Sequence, residues 1–192
     1  MDEKQINAAQ MQVIKNLLEQ TLLVDGDVAE LGCYAGDSSL VFGKILKNTK
    51  KALWLYDSFE GLPAKSPEDQ SALGIHFCPG ELKASKHAVM RKFQHANLPL
   101  PHIKKAWFED LKASDLPELI CFALLDGDYY ASIKISLNLV TNRMNLGGKI
   151  VVHDYSNPAL PGARRAVDEF ALKHPNYKLE QKSGLAVLTR EC

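Results

Sequence analysis

The feature that most restricts the fold of this chain is an unbroken apolar run over residues 119–125, closed by Asp126. A run of this length without a polar position fits a central strand of a parallel sheet, because such a strand is covered on both faces. The run therefore predicts a buried central strand with other layers of the protein packed on both of its faces.

In the rest of the chain, predicted helices alternate with predicted strands. Helical stripes lie near the start of the chain, after Gly36, and over residues 81–96, 130–144 and 162–173. Further strands are predicted at 28–31, 52–56, 102–108 and 150–152, and 177–180 with 185–188 predict a hairpin around Lys182-Ser183-Gly184. These elements predict an α/β fold with a Rossmann-like, doubly wound, mostly parallel seven-stranded sheet that ends in a C-terminal antiparallel hairpin.

Domain organisation is simple in this interpretation. No repeat, low-complexity tract or linker divides the 192 residues, so residues 1–192 are expected to form one domain. Residues 1–24 carry the N-terminal helix. Residues 58–80 are rich in Pro, Gly, Ser and Asp, and loops of that length are often lids or binding loops, so a substrate or lid loop is predicted there.

Charge, apolar run length and cysteine spacing argue against nucleic-acid-binding, membrane and secreted proteins. Lys plus Arg and Asp plus Glu are 23 each, which argues against broad nucleic-acid binding and polybasic membrane contact. No apolar run reaches the ~18 residues of a spanning helix, and residues 1–5 show no signal-peptide pattern. The cysteines have no metal-finger spacing and predict free thiols in the cytoplasm; they are Cys33, Cys78, Cys121 and Cys192.

The first predicted strand leads into a glycine loop that favours a nucleoside. Gly32 and Gly36 are spaced G-x-x-x-G rather than G-x-G-x-x-G, which weakens a dinucleotide site. Glu30 would repel a phosphate but could accept a hydrogen bond from the ammonium group of S-adenosylmethionine. Asp57 ends the second run, 21 residues after Gly36, and can accept two bonds from ribose hydroxyls. The alternative is that the glycines only form a tight turn.

Two later strand ends carry metal-binding residue types. Asp126 and Asp128 follow one run, and His153-Asp154 end the next. Adjacent strands lie about 4.8 Å apart, so Asp126, His153 and Asp154 could converge on one divalent cation. The cation would lower the pKa of a bound hydroxyl, and Asp128 could take its proton. The alternative is that Asp126 and Asp154 only cap the helices that follow.

With these residues in view, the sequence resembles the class I S-adenosylmethionine-dependent O-methyltransferases of the macrocin O-methyltransferase type. Those enzymes methylate sugar hydroxyls on macrolide and aminocoumarin antibiotics. The Asp-Ser-Phe-Glu-Gly-Leu-Pro string of residues 57–63 is the most specific match. The matching segments keep the family order and are residues 30–39, 56–63, 125–132, 153–155 and 161–170.

The resemblance implies a role for each candidate. Glu30, Ser38 and the loop of Gly32, Tyr34 and Gly36 would hold the methionine part of S-adenosylmethionine. Asp57 and Ser58 would hold the ribose, Trp107 and Phe108 would line the adenine, and Asp126 would border the cofactor. A divalent metal, Mg²⁺ or Mn²⁺, would be held by Asp126, His153 and Asp154. Asp128 is the candidate base.

Two departures from the family pattern affect these expectations. The second metal-binding strand of the family usually ends in two acids, and here one is His153. Imidazole suits Mn²⁺, Fe²⁺ or Zn²⁺ better than Mg²⁺; alternatively, His153 lies outside the ligand set or acts as a base. Family members also tend to be longer, which predicts an open acceptor pocket built from the 59–80 loop and residues around 155–162.

The functional expectation is methyl transfer from S-adenosylmethionine to a hydroxyl of a small molecule, a sugar or a glycosylated natural product. One alternative is a non-catalytic S-adenosylmethionine-binding protein with a degraded metal site. Another is an NAD(P)-dependent oxidoreductase, which the glycine spacing and the lack of a Tyr-x-x-x-Lys pair disfavour. The amphipathic first helix either covers the sheet or pairs with a second subunit, so a homodimer remains open.

Overall fold

The computed structural model describes residues 6–73 and 77–191. Some features named from the sequence lie outside these residues. They are the polar stretch of residues 1–5, the thiol of Cys192, and residues 74–76 of the 58–80 loop.

Five α-helices and seven strands make up the described part of the chain, and an α-helix separates most of the consecutive strands. The helices are α1 (Ala8–Gln20), α2 (Asp37–Leu46), α3 (Lys86–His95), α4 (Tyr130–Thr141) and α5 (Pro161–Lys173). The strands are β1 (Asp27–Leu31), β2 (Leu53–Asp57), β3 (His102–Lys105), β4 (Ile120–Leu125), β5 (Met144–Val152), β6 (Tyr177–Lys182) and β7 (Leu185–Arg190). Short 3-10 turns lie at Pro67–Asp69, Phe108–Asp110 and Ala113–Asp115. None of the described helices combines the length and apolar character needed to cross a membrane.

The seven strands form one sheet in the order β3-β2-β1-β4-β5-β7-β6. The first five strands in this order are parallel, and β7 runs antiparallel to both β5 and β6. The predicted fold class is confirmed. The chain moves outward from β1 through β2 to β3 and then returns to β4 on the other side of β1. This switch opens a crevice at the carboxyl ends of β1 and β4, where ligands bind in such sheets.

The core explains why β4 is apolar at every position. Every residue of β4 is buried. From Phe122 to Leu125 the side chains alternate between two buried layers, and Cys121 lies in the same layer as Phe122. One layer contains side chains of α1, α2 and α3, and the other contains side chains of α4 and α5. Helices on both faces leave no solvent-facing position on this strand, as expected for a central parallel strand.

Several predicted boundaries were wrong. The sequence predicts a helix over residues 130–144, but α4 ends at Thr141 and Met144 starts β5. Gly147 and Gly148 follow Met144 and do not mark the end of the helix. They lie within β5, where the register with β4 shifts between Ile120 and Phe122. A Cβ at Gly148 would lie 3.0 Å from the carbonyl oxygen of Cys121, so glycine allows the close approach of the two strands.

Two other elements are shorter than predicted. The strand of residues 102–108 ends at Lys105, and Phe108 begins a 3-10 turn. The helix of residues 81–96 begins only at Lys86, where the Ser85 side chain accepts the backbone N–H of Ala88 at 3.4 Å. A capping serine starts the helix there because it satisfies a backbone donor that has no partner within the helix.

Candidate active site

A cavity of about 660 Å³ lies at the carboxyl ends of β1, β2 and β4. Its volume is within the range of small-molecule and cofactor sites. Most of the residues predicted to contact a cofactor or substrate line it. They are Gly32, Tyr34, Ser38, Asp57, Ser58, Trp107, Phe108, Asp126 and Asp128. Glu30, Gly36, His153 and Asp154 are not among the described lining residues.

Gly32 brings the ends of β1 and β4 together. Its φ is +95°, and a Cβ there would lie 2.0 Å from the backbone oxygen of Asp126. Asp126 donates its backbone N–H to the carbonyl of Leu31 at 2.8 Å. Any side chain at position 32 would therefore separate the two strand ends. This glycine is required by strand packing as well as by the shape of the loop.

Glu30 lies behind the cavity wall and is fully buried. One carboxylate oxygen accepts a hydrogen bond from the Ser38 hydroxyl, and the other accepts one from the Ser39 hydroxyl at 2.5 Å. Burial raises the pKa of Glu30 to about 7, although the two serine hydroxyls oppose the shift. Glu30 thus connects β1 to the first turn of α2. Ser38, which donates to Glu30, also lines the cavity.

Asp57 holds two neighbouring loops at the end of β2. Its Oδ2 atom accepts the backbone N–H of Tyr34 at 2.8 Å, and its Oδ1 atom accepts that of Phe59 at 2.7 Å. Burial raises the pKa of Asp57, while these amide bonds lower it. A carboxylate offers about four lone-pair sites. The backbone contacts with Tyr34 and Phe59 do not exhaust this capacity. Trp107 and Phe108 line the same cavity as Asp57.

Asp126, His153 and Asp154 form a cluster with one ligand atom each, all within 4.8 Å of one another. The Nδ1 atom of His153 lies 2.9 Å from Oδ1 of Asp126 and 2.8 Å from Oδ2 of Asp154. Asn157 donates its side-chain N–H to the other oxygen of Asp154 at 2.9 Å. Burial alone would lower the pKa of His153, but the carboxylates of Asp126 and Asp154 raise it to about 11.

The donor set of this cluster fits a divalent cation. Two carboxylates and one imidazole supply three converging ligand atoms, and Asp126 also borders the cavity. Imidazole makes the set suited to Mn²⁺, Fe²⁺ or Zn²⁺ as well as Mg²⁺. Asp128 and Asp154 have φ values of 60° and 59°, a left-handed conformation in which aspartate is enriched. Asp128 lines the cavity two residues after Asp126.

Asp69, in the 58–80 loop, was not identified from the sequence. It is fully buried and accepts the backbone N–H of Tyr130 at 2.7 Å and the hydroxyl of Ser66 at 2.6 Å. A Cβ at Gly162 would lie 1.9 Å from Oδ1 of Asp69. The loop is therefore fastened to the starts of α4 and α5. A loop carboxylate has no periodic signal that would indicate such a contact.

Tyr129 contributes an unusual hydroxyl to the same region. The residue lines the cavity, is 1% exposed, and packs with Leu62 and Leu160. Its hydroxyl has no hydrogen-bond partner in the described part of the chain. Such a buried group costs roughly 1–3 kcal/mol. In the sequence, Tyr129 is marked only by its place in residues 125–132, one of the segments that match the family.

Helix α1 also reaches the site, which the sequence did not indicate. Ile6, just before α1, and Met11 within it line the cavity. The Oε1 atom of Gln10 lies 3.3 Å from the Nε2 atom of His153. One face of α1 packs in the core through Ile14, Leu17 and Leu18, so the first helix covers this sheet.

The strand order, the antiparallel edge and the cavity at the switch point define an α/β methyltransferase fold. Two solved structures share it. The O-methyltransferase NovP superposes with a TM-score of 0.84 at 24% identity, covering 97% of this chain and 81% of that chain. The calicheamicin methyltransferase CalS11 gives a TM-score of 0.77 at 16% identity, covering 96% of this chain and 80% of that chain.

The family model for macrocin-O-methyltransferase (TylF) matches residues 3–181, and the chain belongs to this family. A tetracenomycin-C glycoside 4'-O-methyltransferase of Streptomyces olivaceus is 27% identical over 162 residues, 79% of this chain and 61% of the relative. The demethyldecarbamoylnovobiocin O-methyltransferase of Streptomyces niveus is 26% identical over 158 residues, 78% of this chain and 60% of the relative. The matched region thus spans about three-fifths of these relatives.

Proposed function

We propose that the chain is an S-adenosylmethionine-dependent O-methyltransferase that acts on a hydroxyl of a small molecule, a sugar or a glycosylated natural product. The observation that carries the proposal is that Asp57 and Asp126 face one cavity. A carboxylate suited to ribose and a carboxylate of the candidate metal cluster therefore border the same space. Membership of the family and the names of the two relatives support this activity.

The cofactor would lie across the ends of β1 and β2. Asp57 and Ser58 would bind the ribose hydroxyls, and Trp107 with Phe108 would flank the adenine. The loop of Gly32, Tyr34 and Gly36, with Ser38, would surround the methionine end. Glu30 would act mainly through Ser38 and Ser39, since both its oxygens are engaged by them. S-adenosylmethionine supplies a methyl group on a positively charged sulfur when it is bound.

Asp126, His153 and Asp154 would hold the divalent metal, and their donor set favours Mn²⁺ as well as Mg²⁺. A bound divalent cation lowers the pKa of an acceptor hydroxyl. Asp128 would accept the proton of the acceptor hydroxyl during methyl transfer to the oxygen of that hydroxyl. These residues orient the acceptor oxygen toward the cofactor, and such positioning supplies much of the rate in a two-substrate reaction.

The acceptor would enter beneath the 58–80 loop. Pro63, Ser66 and Asp69 of this loop line the cavity, as does Tyr129 below it. We propose residues 1–192 as one methyltransferase domain in which this loop covers the acceptor. The name of one relative contains a rhamnosyl group on the molecule that is methylated, and it supports a sugar-bearing acceptor here. A homodimer remains an expectation, which light scattering of the purified protein would test.

One observation favours a second candidate, a protein that binds S-adenosylmethionine without transferring its methyl group. The His153 ring lies against both Asp126 and Asp154. An imidazolium there would neutralise charge in the cluster without a metal. The NAD(P)-dependent alternative receives no such support from the cavity.

A transfer assay separates these candidates. The protein is incubated with methyl-labelled S-adenosylmethionine and a panel of rhamnosides, novobiocin precursors and macrolides, with Mn²⁺, with Mg²⁺ or with EDTA. The proposed function predicts a methylated product by mass spectrometry, and Asp126→Asn should remove the metal-dependent part of the rate. Tight binding of S-adenosylhomocysteine without transfer to any acceptor would support the second candidate. Preferential binding of NAD or NADP would refute both.

A further inference from the structure

Gln10 joins the first helix to the candidate metal cluster. Its Oε1 atom accepts the backbone N–H of Asn7 at 3.1 Å and lies 3.3 Å from Nε2 of His153. Gln10 and His153 are 143 positions apart in the chain. The contact exists only because α1 packs beside the end of β5.

The contact with Asn7 identifies which side-chain atom of Gln10 faces the histidine. A backbone N–H can only donate, so the Gln10 atom that it meets is the amide oxygen. An amide oxygen can only accept, so Nε2 of His153 carries the hydrogen of this contact. The other ring nitrogen, Nδ1, is the one that faces Asp126 and Asp154.

Metal-binding histidines have the same partners, except that the metal takes the place of the hydrogen that Nδ1 of His153 donates to the two carboxylates here. Such a histidine donates its second ring N–H to an oxygen acceptor, which sets the ring orientation and the nitrogen available to the metal. We propose that Gln10 is a positioning residue that holds the His153 ring so that Nδ1 completes a three-ligand metal site with Asp126 and Asp154. The inference rests on the metal site of the proposed function.

A consequence is that metal binding and the seating of α1 are linked. Met11 follows Gln10 and lines the cavity, so α1 forms part of the cavity wall. If Gln10 strengthens metal binding, a bound metal must strengthen the docking of α1 by the same factor, because thermodynamic coupling is reciprocal. Metal binding would then stabilise by that factor the docked position that α1 already holds through Ile14, Leu17 and Leu18.

Mn²⁺ titration by calorimetry tests the positioning role. Gln10→Leu removes the acceptor and should weaken Mn²⁺ binding about 10- to 100-fold, the usual effect of losing such a partner. Gln10→Glu retains an oxygen acceptor and should keep parental affinity. Asn7→Ala is the matched control, because Asn7 accepts the backbone N–H of Gln10 at 3.0 Å and helps to cap α1. It should lower the melting temperature but change Mn²⁺ affinity less than twofold.

Hydrogen exchange of α1 tests the linkage. Mn²⁺ should slow amide exchange in α1 of the parent and of Asn7→Ala, but not of Gln10→Leu. Parental Mn²⁺ affinity in Gln10→Leu, or equal weakening in Gln10→Leu and Asn7→Ala, would overturn the inference. So would a parent protein that binds no Mn²⁺ at millimolar concentration.

These readouts are independent of turnover. Mn²⁺ binding that depends on Gln10, in a protein that methylates no acceptor, would refute the proposed function and leave the inference standing. Methyl transfer by a protein whose Mn²⁺ affinity does not change in Gln10→Leu would support the proposed function and refute the inference.

Discussion

The Nδ1 atom of His153 lies 2.9 Å from the Oδ1 atom of Asp126, although the two residues follow different strands. Strand register causes this proximity: Leu125 of β4 pairs with Val152 of β5, and the next residue of each strand is part of the cluster. His153 also donates its backbone N–H to the carbonyl of Leu125 at 3.0 Å. Groups held by strand ends are placed more precisely than groups on loops, so substitutions here should alter chemistry more than fold.

Replacing His153 with aspartate should change metal preference. His153→Asp exchanges an imidazole nitrogen for a carboxylate oxygen, which Mg²⁺ prefers. We expect the ratio of Mg²⁺ to Mn²⁺ affinity to rise at least severalfold. Calorimetric titration of both metals into parent and variant measures it. His174→Asp is the control, because His174 packs against Phe170 on α5. An unchanged ratio in His153→Asp would exclude direct ligation by the histidine.

Removing the Asp57 carboxylate, as in Asp57→Ala, should strongly weaken the binding of S-adenosylhomocysteine. Each charge-assisted bond that is lost costs about 1.5–3 kcal/mol, and the Tyr34 loop also loses its anchor. Asp27→Ala is the matched control. Asp27 likewise bridges β1 and β2, through Ala52 N and Trp54 Nε1, but it starts β1 at the opposite edge of the sheet. It should lower stability and leave ligand affinity unchanged; equal affinities for Asp57→Ala and the parent would contradict the cofactor assignment.

Glu30 should make stability depend on pH. Burial raises its pKa from 4.5 to about 7, so the folded state binds the proton more tightly than the unfolded state. Its stabilising effect is therefore complete below pH 4.5 and is lost as the pH rises through 7. Urea unfolding should show Glu30→Gln gaining stability relative to the parent between pH 5 and pH 8, by an amount on the order of 1–3 kcal/mol.

Glu60→Gln serves as the control for this measurement. Lys105 and Lys83 lower the pKa of the partly exposed Glu60 to about 2, so Glu60 stays ionised in the folded state across that range. The stability difference between Glu60→Gln and the parent should not vary from pH 5 to pH 8. A flat profile for Glu30→Gln as well would show that Glu30 is ionised throughout.

Tyr129→Phe should not destabilise the protein. The Tyr129 hydroxyl is buried and has no hydrogen-bond partner among the described residues, so removing it forfeits no bond. Tyr56→Phe is the comparison, because the equally buried Tyr56 donates to the carbonyl of Asp115 at 2.8 Å. Thermal unfolding should show a loss of about 0.5–1.5 kcal/mol for Tyr56→Phe and an unchanged or higher stability for Tyr129→Phe. A comparable loss in both variants would reveal a partner for Tyr129.

Much of the site could be predicted because it lies at strand ends. A strand end is marked locally, by an apolar run that stops at a polar residue, as at Asp57 and Asp126. Parallel strands then bring their carboxyl ends to one edge of the sheet. Asp69, Tyr129 and Gln10 have no such marker. Asp69 lies in an irregular loop, and Gln10 follows a capping pattern that describes only the start of its own helix.

The amino-acid pattern by itself determined the fold class, because residues 119–125 can be buried on both faces only when helices cover both sides of the sheet. The tertiary structure alone decided which polar groups share their partners. Glu30 accepts hydrogen bonds from Ser38 and Ser39 and does not line the cavity. Gln10 contacts His153, which lies 143 positions later in the chain. Hydrophobic periodicity is a local property of the chain, whereas these contacts depend on how the packed helices are placed over the sheet.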